Sequence, residues 1–331
     1  MSSIAVAGAG SIGCFVGGML ARGGQSVALL ARPRVISELE LNGMRLTSFE
    51  GLDGRVSTPG QFGLTDNPDV LTNARIILVT VKSDDTRGMA SLIGEYAPPD
   101  SIVVSLQNGV GNVGVLRERL PGRTVLAGMV PFNVVSLPNG HFHRATSGDI
   151  LIDADAGKTA EKLSVPGLRI RAHSNMTGIQ WGKLLINLNN ALNALSDIPL
   201  REQLAQRNWR RLFADQMTEA LTVMRAAGVH PVSTQPLPSS WAPAVLRLPD
   251  SLFQLLARQM LQIDPKARSS MWEDLSRGKR TEIDHLQGLI VSLAEKHDVP
   301  APLSARIMSL IRQAEAADKG PPGLTPEQIR R

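Results

Sequence analysis

One cysteine, Cys14, occurs in 331 residues, which excludes an intramolecular disulfide and any metal centre built on cysteine ligands. Such sparing use fits a reducing, cytoplasmic setting. Aromatic residues make up only 4% of the chain, which leaves few rings to stack on bases. Lys and Arg form no long basic run. The formal net charge of +5 therefore suits a protein that handles anionic small molecules, not nucleic acid. Residues 4–21 carry no charge. That stretch has no basic residue before it and is broken by Gly8, Gly10, Gly13, Gly17 and Gly18. It is read neither as a signal peptide nor as a membrane span, and the chain is expected to be soluble.

A length of 331 residues exceeds what one hydrophobic core usually serves, so two domains are expected. The first half alternates short β-branched runs with helical patterns, as doubly wound α/β domains do. Residues 4–7 read as a buried strand, 11–22 as a helix and 26–30 as a second strand, a βαβ unit of the usual length. Residues 75–81, 101–106 and 124–127 are further apolar runs of the kind buried on both faces of a parallel sheet. Residues 84–95 and 112–120 can form the crossover helices. Residues 44–48 and 55–58 look like a small hairpin inserted in the sheet order. Residues 130–136, 141–146, 149–152 and 169–172 read as an antiparallel extension of the same sheet. Long helices are expected over 176–195, 202–227 and 281–297. Residues 231–249 are expected to be a proline-rich loop and 319–331 a flexible tail.

Gly8-Ala9-Gly10-Ser11-Ile12-Gly13 follows the first strand and opens the first helix. The first glycine permits a tight turn and the second lets backbone approach a pyrophosphate. The third allows close helix–strand packing, and the helix start offers N–H groups to phosphates. After the second strand the chain reads Leu29-Leu30-Ala31-Arg32-Pro33-Arg34, with no acid for a ribose 2′-hydroxyl. Arg32 suits the 2′-phosphate of NADP instead. Lys82 and the Gln107-Asn108-Gly109 turn follow two later strands at the edge where such sheets bind ligands. On the residues alone, each is equally a strand cap or a turn former.

Residues 181–191 read WGKLLINLNNA. At about 100° per residue, Lys183, Asn187 and Asn190 fall on one strip of an otherwise apolar helix. The strip either faces water or lines a cleft, and the Leu and Ile on the other faces favour a cleft. Further on, Ser269 and Ser270 open a helix that Gly278 ends. Thr281 then caps the next helix and puts Glu282 in its first turn, where an acid also simply complements the helix dipole. His141 and His143 alternate on a strand, are expected to face solvent, and have no acidic or histidine cluster beside them, so no metal is expected.

These segments occur in one order: GAGSIG, the Arg32 position, VTVKS at 79–83, QNGVGN at 107–112, WGKLLINLNNA, and SSMWEDLSRGKRTEIDHLQG at 269–288. In this the chain resembles the ketopantoate reductase (2-dehydropantoate 2-reductase) family over residues 3 to 312. The resemblance implies an α/β Rossmann-type N-terminal domain over 1–174 and an all-α C-terminal domain over 175–318, with the active site between them. It implies NADPH as cofactor, a small 2-oxo acid as substrate and pantothenate biosynthesis as setting. Gly8, Gly10, Ser11, Ile12 and Gly13 would hold the pyrophosphate, Arg32 the 2′-phosphate, and Lys82 and Asn108 would approach the cofactor. Lys183 and Glu282 match the family's catalytic pair. Asn187 and Ser270 match substrate-binding positions, and Asn108 and Lys183 also face the substrate. Many members carry a second asparagine where this chain has Ala191, and Asn190 beside it stands in. Another oxo acid, or a non-catalytic NADPH-binding regulator, are the competing readings. No membrane or nucleic-acid partner is implied, and a homodimer through the helical domain is expected.

Overall fold

The computed structural model describes residues 3–57, 60–234, 237–256, 264–265 and 267–331. Thr58, at the end of the expected hairpin, and residues 235–236 of the proline-rich segment lie outside these. The chain divides into two compact units, Met1–Met176 and Thr177–Arg331.

The first unit is built on an eight-stranded sheet. Its strands are β1 (Ile4–Ala7), β2 (Val27–Leu30), β5 (Phe62–Thr65), β6 (Ile76–Val79), β7 (Ile102–Ser105), β8 (Val125–Met129), β11 (Ile150–Asp153) and β12 (Ile170–His173). They run in the order β12-β11-β8-β7-β6-β1-β2-β5. From β5 to β8 every pairing is parallel, the doubly wound order with its switch point between β1 and β6. All four residues of β1 and of β6 are buried, because helices α1 (Ser11–Arg22), α2 (Pro33–Asn42), α3 (Thr86–Tyr96) and α4 (Asn112–Arg119) serve as crossovers. Beyond β8, β11 joins antiparallel and β12 parallel to β11, so only part of the expected antiparallel extension belongs to this sheet. A fifth short helix, α5 (Thr159–Leu163), precedes β12.

The hairpin of β3 (Met44–Ser48) and β4 (Asp53–Val56) is not inserted in the main sheet. With β9 (Val134–Leu137) and β10 (His141–Arg144) it makes a separate four-stranded sheet, β4-β3-β10-β9. The apolar face of that sheet supplies Leu46 and Phe142 to the core around Phe15, Val16, Met19 and Leu20 of α1. Phe15 meets Phe132 edge to face, with centroids 5.8 Å apart. On the other face, His141 Nε2 and His143 Nδ1 lie 2.7 and 2.8 Å from the Thr47 hydroxyl. The two rings are therefore tied to the neighbouring strand and do not simply face solvent. Cys14 is fully buried, and burial first, then the Glu38 carboxylate, pushes its thiol up to about 12. It is an inert core residue.

The second unit is helical: α6 (Met176–Asn187), α7 (Asn189–Ser196), α8 (Leu200–Ala205), α9 (Arg207–Ala226), α10 (Ala242–Leu246), α11 (Asp250–Leu256), α12 (Ser270–Ser276), α13 (Gln287–Lys296), α14 (Pro302–Ala317) and α15 (Pro326–Arg330). Each long helix expected from periodicity is divided. The one over 176–195 breaks at Leu188, where the buried Gln287 side chain donates to the Leu188 carbonyl at 2.9 Å. Leu188 is the cap of α7, and Gln287 adds a second donor to its carbonyl. The segment from Thr281 gives a 3₁₀ turn, Ile283–His285, and then α13. Glu282 is the residue before that turn, not a member of an α-helical first turn. The proline-rich loop contains α10.

Residues 319–331 do not form a flexible tail. Thr325 and Gln328 make a capping box that starts α15, and Ile329 is fully buried. Arg330 reaches Asp215 at 2.6 Å, and the Leu324 N–H donates to the Leu195 carbonyl at 2.7 Å. At the centre of the unit Arg210 is fully buried. Its guanidinium donates to the carbonyls of Leu204, Ala205, Leu246 and Leu248 and to Asp250, and it stacks on Phe253. Among the described residues, no helix is long and apolar enough to cross a membrane.

Candidate active site

The glycine-rich turn sits at the switch point of the sheet. Gly8 has φ +114°, and a Cβ there would come within 2.8 Å of the Val81 backbone. A Cβ on Gly13 would collide with the Gly8 carbonyl and the Thr80 hydroxyl. Thr80, which sequence reasoning overlooked, donates from Oγ1 to the Gly8 carbonyl at 2.5 Å and locks the turn to the end of β6. Gly10 differs: a Cβ there would meet no protein atom within 4 Å. Protein packing does not require glycine at that point, whereas close approach of a pyrophosphate does. Gly10 caps α1, whose first turn holds Ser11 and Ile12 and no acidic residue. The dipole at that end is left for an external anion. The geometry thus fits a dinucleotide.

Arg32 caps α2, with Pro33 in its first turn. Its side chain is 84% exposed and reaches Asp85 at 3.1 Å. An exposed ion pair of this kind is weak and yields readily to a phosphate. Lys82 and Asn108 are both exposed, just past the ends of β6 and β7. The loops that carry them share a buried polar network. Gln107 donates to the Val81 carbonyl at 3.0 Å and to Thr86 Oγ1 at 2.7 Å. Thr86 donates to Asn112 Oδ1 at 2.9 Å, and Asn112 donates to Ser83 Oγ at 3.1 Å and to the Asn108 carbonyl at 2.7 Å. Gln107 and Asn112 therefore fix the positions of Lys82 and Asn108. Gly109 makes the turn with φ +86°.

In the helical unit, Lys183 and Asn187 lie on α6 and Asn190 on α7. Asn187 is 7% exposed, while Ile186 next to it is 45% exposed. Asn187 turns inward and Ile186 faces out, the reverse of a surface helix, while Lys183 and Asn190 are half-buried. Burial pulls the Lys183 ammonium down from 10.5 to about 8. Gly182, directly before it, lets the backbone of Val232 pack on the helix; a Cβ there would collide with the Val232 carbonyl. The Val232 N–H donates to the Gly178 carbonyl at 2.8 Å, so the proline-rich segment is anchored beside Lys183.

Ser270 is exposed at the first position of α12. Ser269 before it is fully buried and caps the helix, accepting from the Trp272 N–H at 3.1 Å. Its hydroxyl donates to the Asn190 carbonyl at 3.0 Å, which brings Asn190 and Ser270 to one place. Ala191 is fully buried. Glu282 is half-buried at the start of its 3₁₀ turn.

Comparison with known proteins identifies the family. Residues 4–157 match the family model of ketopantoate reductase PanE/ApbA, and residues 175–315 match its C-terminal model. The 2-dehydropantoate 2-reductase of Halobacterium salinarum is 29% identical over 321 residues, 94% of this chain and 98% of that protein. The solved PanE/ApbA family ketopantoate reductase of Ralstonia eutropha is 30% identical with a TM-score of 0.80, over 96% of this chain and 99% of that one. A D-mandelate dehydrogenase solved with NADH and anilino(oxo)acetate superposes with a TM-score of 0.78 at 21% identity, over 95% of this chain and 99% of that one. That is a likeness of fold alone. With both of its units matched, the chain belongs to the ketopantoate reductase family, whose members are NADPH-dependent oxidoreductases.

Proposed function

We propose that this chain reduces 2-dehydropantoate to pantoate at the expense of NADPH, with Lys183 as general acid. The observation that carries the reading is the buried Asn187 on α6, one turn from a half-buried Lys183 whose ammonium is brought to about 8 by burial. At pH 7 about nine-tenths of it is protonated, yet it gives up its proton far more readily than a solvated lysine. When bound, NADPH supplies hydride to the C2 carbonyl carbon of the oxo acid. Lys183 Nζ stabilises the negative charge that develops on the carbonyl oxygen and donates the proton that completes the alcohol. Glu282 orients that ammonium or binds a substrate hydroxyl, and Asn187, Asn190 and Ser270 hold the carboxylate and hydroxyl groups. Gly8, Gly10, Gly13 and the first-turn N–H groups of Ser11 and Ile12 hold the pyrophosphate. Arg32 pairs with the 2′-phosphate, Lys82 and Asn108 approach the cofactor, and Asn108 also meets the substrate.

A second reading, reduction of another small 2-oxo acid, is favoured by one observation: Ala191 is fully buried where an asparagine is usual in the family. A homodimer is the proposed assembly, supported by exposed Leu252, Leu255 and Leu256 on α11. The lone, buried thiol is in keeping with a cytoplasmic enzyme. The roles are tested with Lys183→Ala and Glu282→Gln. Lys183→Ala should lower kcat by about 10²–10⁴-fold and leave NADPH affinity unchanged. Turnover equal to the parent's would overturn the assignment. A panel of 2-oxo acids, ranked by kcat/KM, separates the two substrate readings.

A further inference from the structure

Asn193 has no place in the reaction as described, yet it is fully buried and is bonded on both sides of its amide. Its Oδ1 accepts from the Ser269 N–H at 2.9 Å. Its Nδ2 donates to the Ile198 carbonyl at 2.8 Å and to Gln203 Oε1 at 3.3 Å. Gln203 is held in turn by Asn189, whose Nδ2 donates to the same oxygen at 3.2 Å. One side chain of α7 thus joins three elements: the segment that enters α12, the turn after α7, and α8.

The bond to Ser269 is the informative one. Ser269 is the residue before Ser270, and its hydroxyl already spans from the Asn190 carbonyl to the first turn of α12. Its hydroxyl and N–H are therefore both engaged, each fixed directly or indirectly by α7. With Ser269 pinned to α7, the backbone of the exposed Ser270 is held beside Asn190. An apolar residue of the same size at 193 would fill the space and leave the Ser269 N–H buried without an acceptor, so the segment would shift to find one.

We infer that Asn193 is a positioning residue for substrate recognition: it sets the place of Ser270 against the asparagines of α6 and α7. The inference rests on the reading of Ser270 as a substrate contact. It requires that the effect of Asn193 on substrate affinity pass through Ser270. That makes it separable from a merely structural role, because two residues acting on one contact are not additive.

The test is a double-mutant cycle on the full chain with NADPH and 2-dehydropantoate, or the best oxo acid of the panel. Asn193→Leu and Ser270→Ala should each raise KM for the oxo acid by about tenfold. The double variant should have the KM of Ser270→Ala, with NADPH Kd from fluorescence titration unchanged throughout. Asn193→Asp keeps the acceptor for the Ser269 N–H and should restore most of the substrate affinity lost in Asn193→Leu. If Asn193→Leu is too unstable to assay, Asn193→Ala, which removes the same acceptor without added bulk, takes its place in the cycle. Effects of Asn193 and Ser270 that multiply, or a KM unmoved by Asn193→Leu, would overturn the inference while leaving Ser270 in the site. A KM unmoved by Ser270→Ala would overturn the reading of Ser270 itself.

Discussion

Replacing Lys183 with methionine should make the protein more stable while abolishing its turnover. The side chain keeps its length and its apolar stem, so packing on α6 is nearly conserved. What disappears is the cost of holding a cation where burial opposes it. The ammonium falls from 10.5 in the unfolded chain to about 8 in the fold. Between those values the unfolded state binds the proton and the native state does not, so parent stability rises with pH across that window. Below pH 8 the burial cost is fully present. A difference of this size corresponds to about 3 kcal/mol at pH 7 and about 1.5 kcal/mol at pH 9.5. Both are upper bounds on the gain, because methionine leaves the groups that contact the ammonium without it. Urea unfolding of parent and variant without cofactor, at the two pH values, measures the difference directly, and other titrating groups cancel. The reasoning is refuted if the variant is no more stable than the parent at pH 7, or if its advantage is the same at pH 9.5.

The same group governs the pH profile of catalysis. As the general acid it must be protonated, so kcat/KM, which reports the free enzyme, should be flat below about 8 and fall about tenfold per pH unit above it; a flat profile to pH 9.5 would contradict the role. Gly10→Ala should fold like the parent, because its Cβ meets no protein atom, yet weaken NADPH by about tenfold or more in a fluorescence titration. Gly13→Ala should instead lower stability as well, since its Cβ strikes the Gly8 carbonyl. Arg32→Ala should cut the preference for NADPH over NADH by about 10–100-fold and leave the unfolding midpoint in place. Arg210→Met should lose about 3–5 kcal/mol in urea unfolding, because Asp250 and four carbonyls lose their donor.

Local signals in this chain read well and non-local ones did not. The β1-α1-β2 unit was legible because glycine spacing and two apolar runs determine it within about thirty residues. The hairpin of β3 and β4 was legible as a hairpin, but its sheet was not. Pairing of β3 with β10 joins Arg45 to His141 across the whole nucleotide-binding core, and no local pattern encodes that. Helix α2 was missed although Pro33 in its first turn is a start signal, because Arg32-Pro33-Arg34 was weighed only for its charge. The tail was misread for a similar reason: Thr325-Pro326-Glu327-Gln328 is a capping box in plain view, outweighed by the polarity around it. Lys183 and Asn187 could be seen one turn apart on α6 from helical phase, whereas Asn190 falls on α7, beyond the break at Leu188. Thr80, Thr86, Asn112, Asn193 and Gln203 could not, since a buried amide or hydroxyl that holds a loop looks in sequence like any surface one.

The central claim is that this chain passes hydride from NADPH to a 2-oxo acid. The most direct measurement is NADPH oxidation by the purified protein with 2-dehydropantoate, with pantoate identified as product and NADH run alongside. The account predicts rapid turnover with NADPH, little with NADH, and one pantoate formed for each NADPH consumed. A protein that binds NADPH through Gly10 and Arg32 but oxidises it with neither 2-dehydropantoate nor any other 2-oxo acid would contradict it.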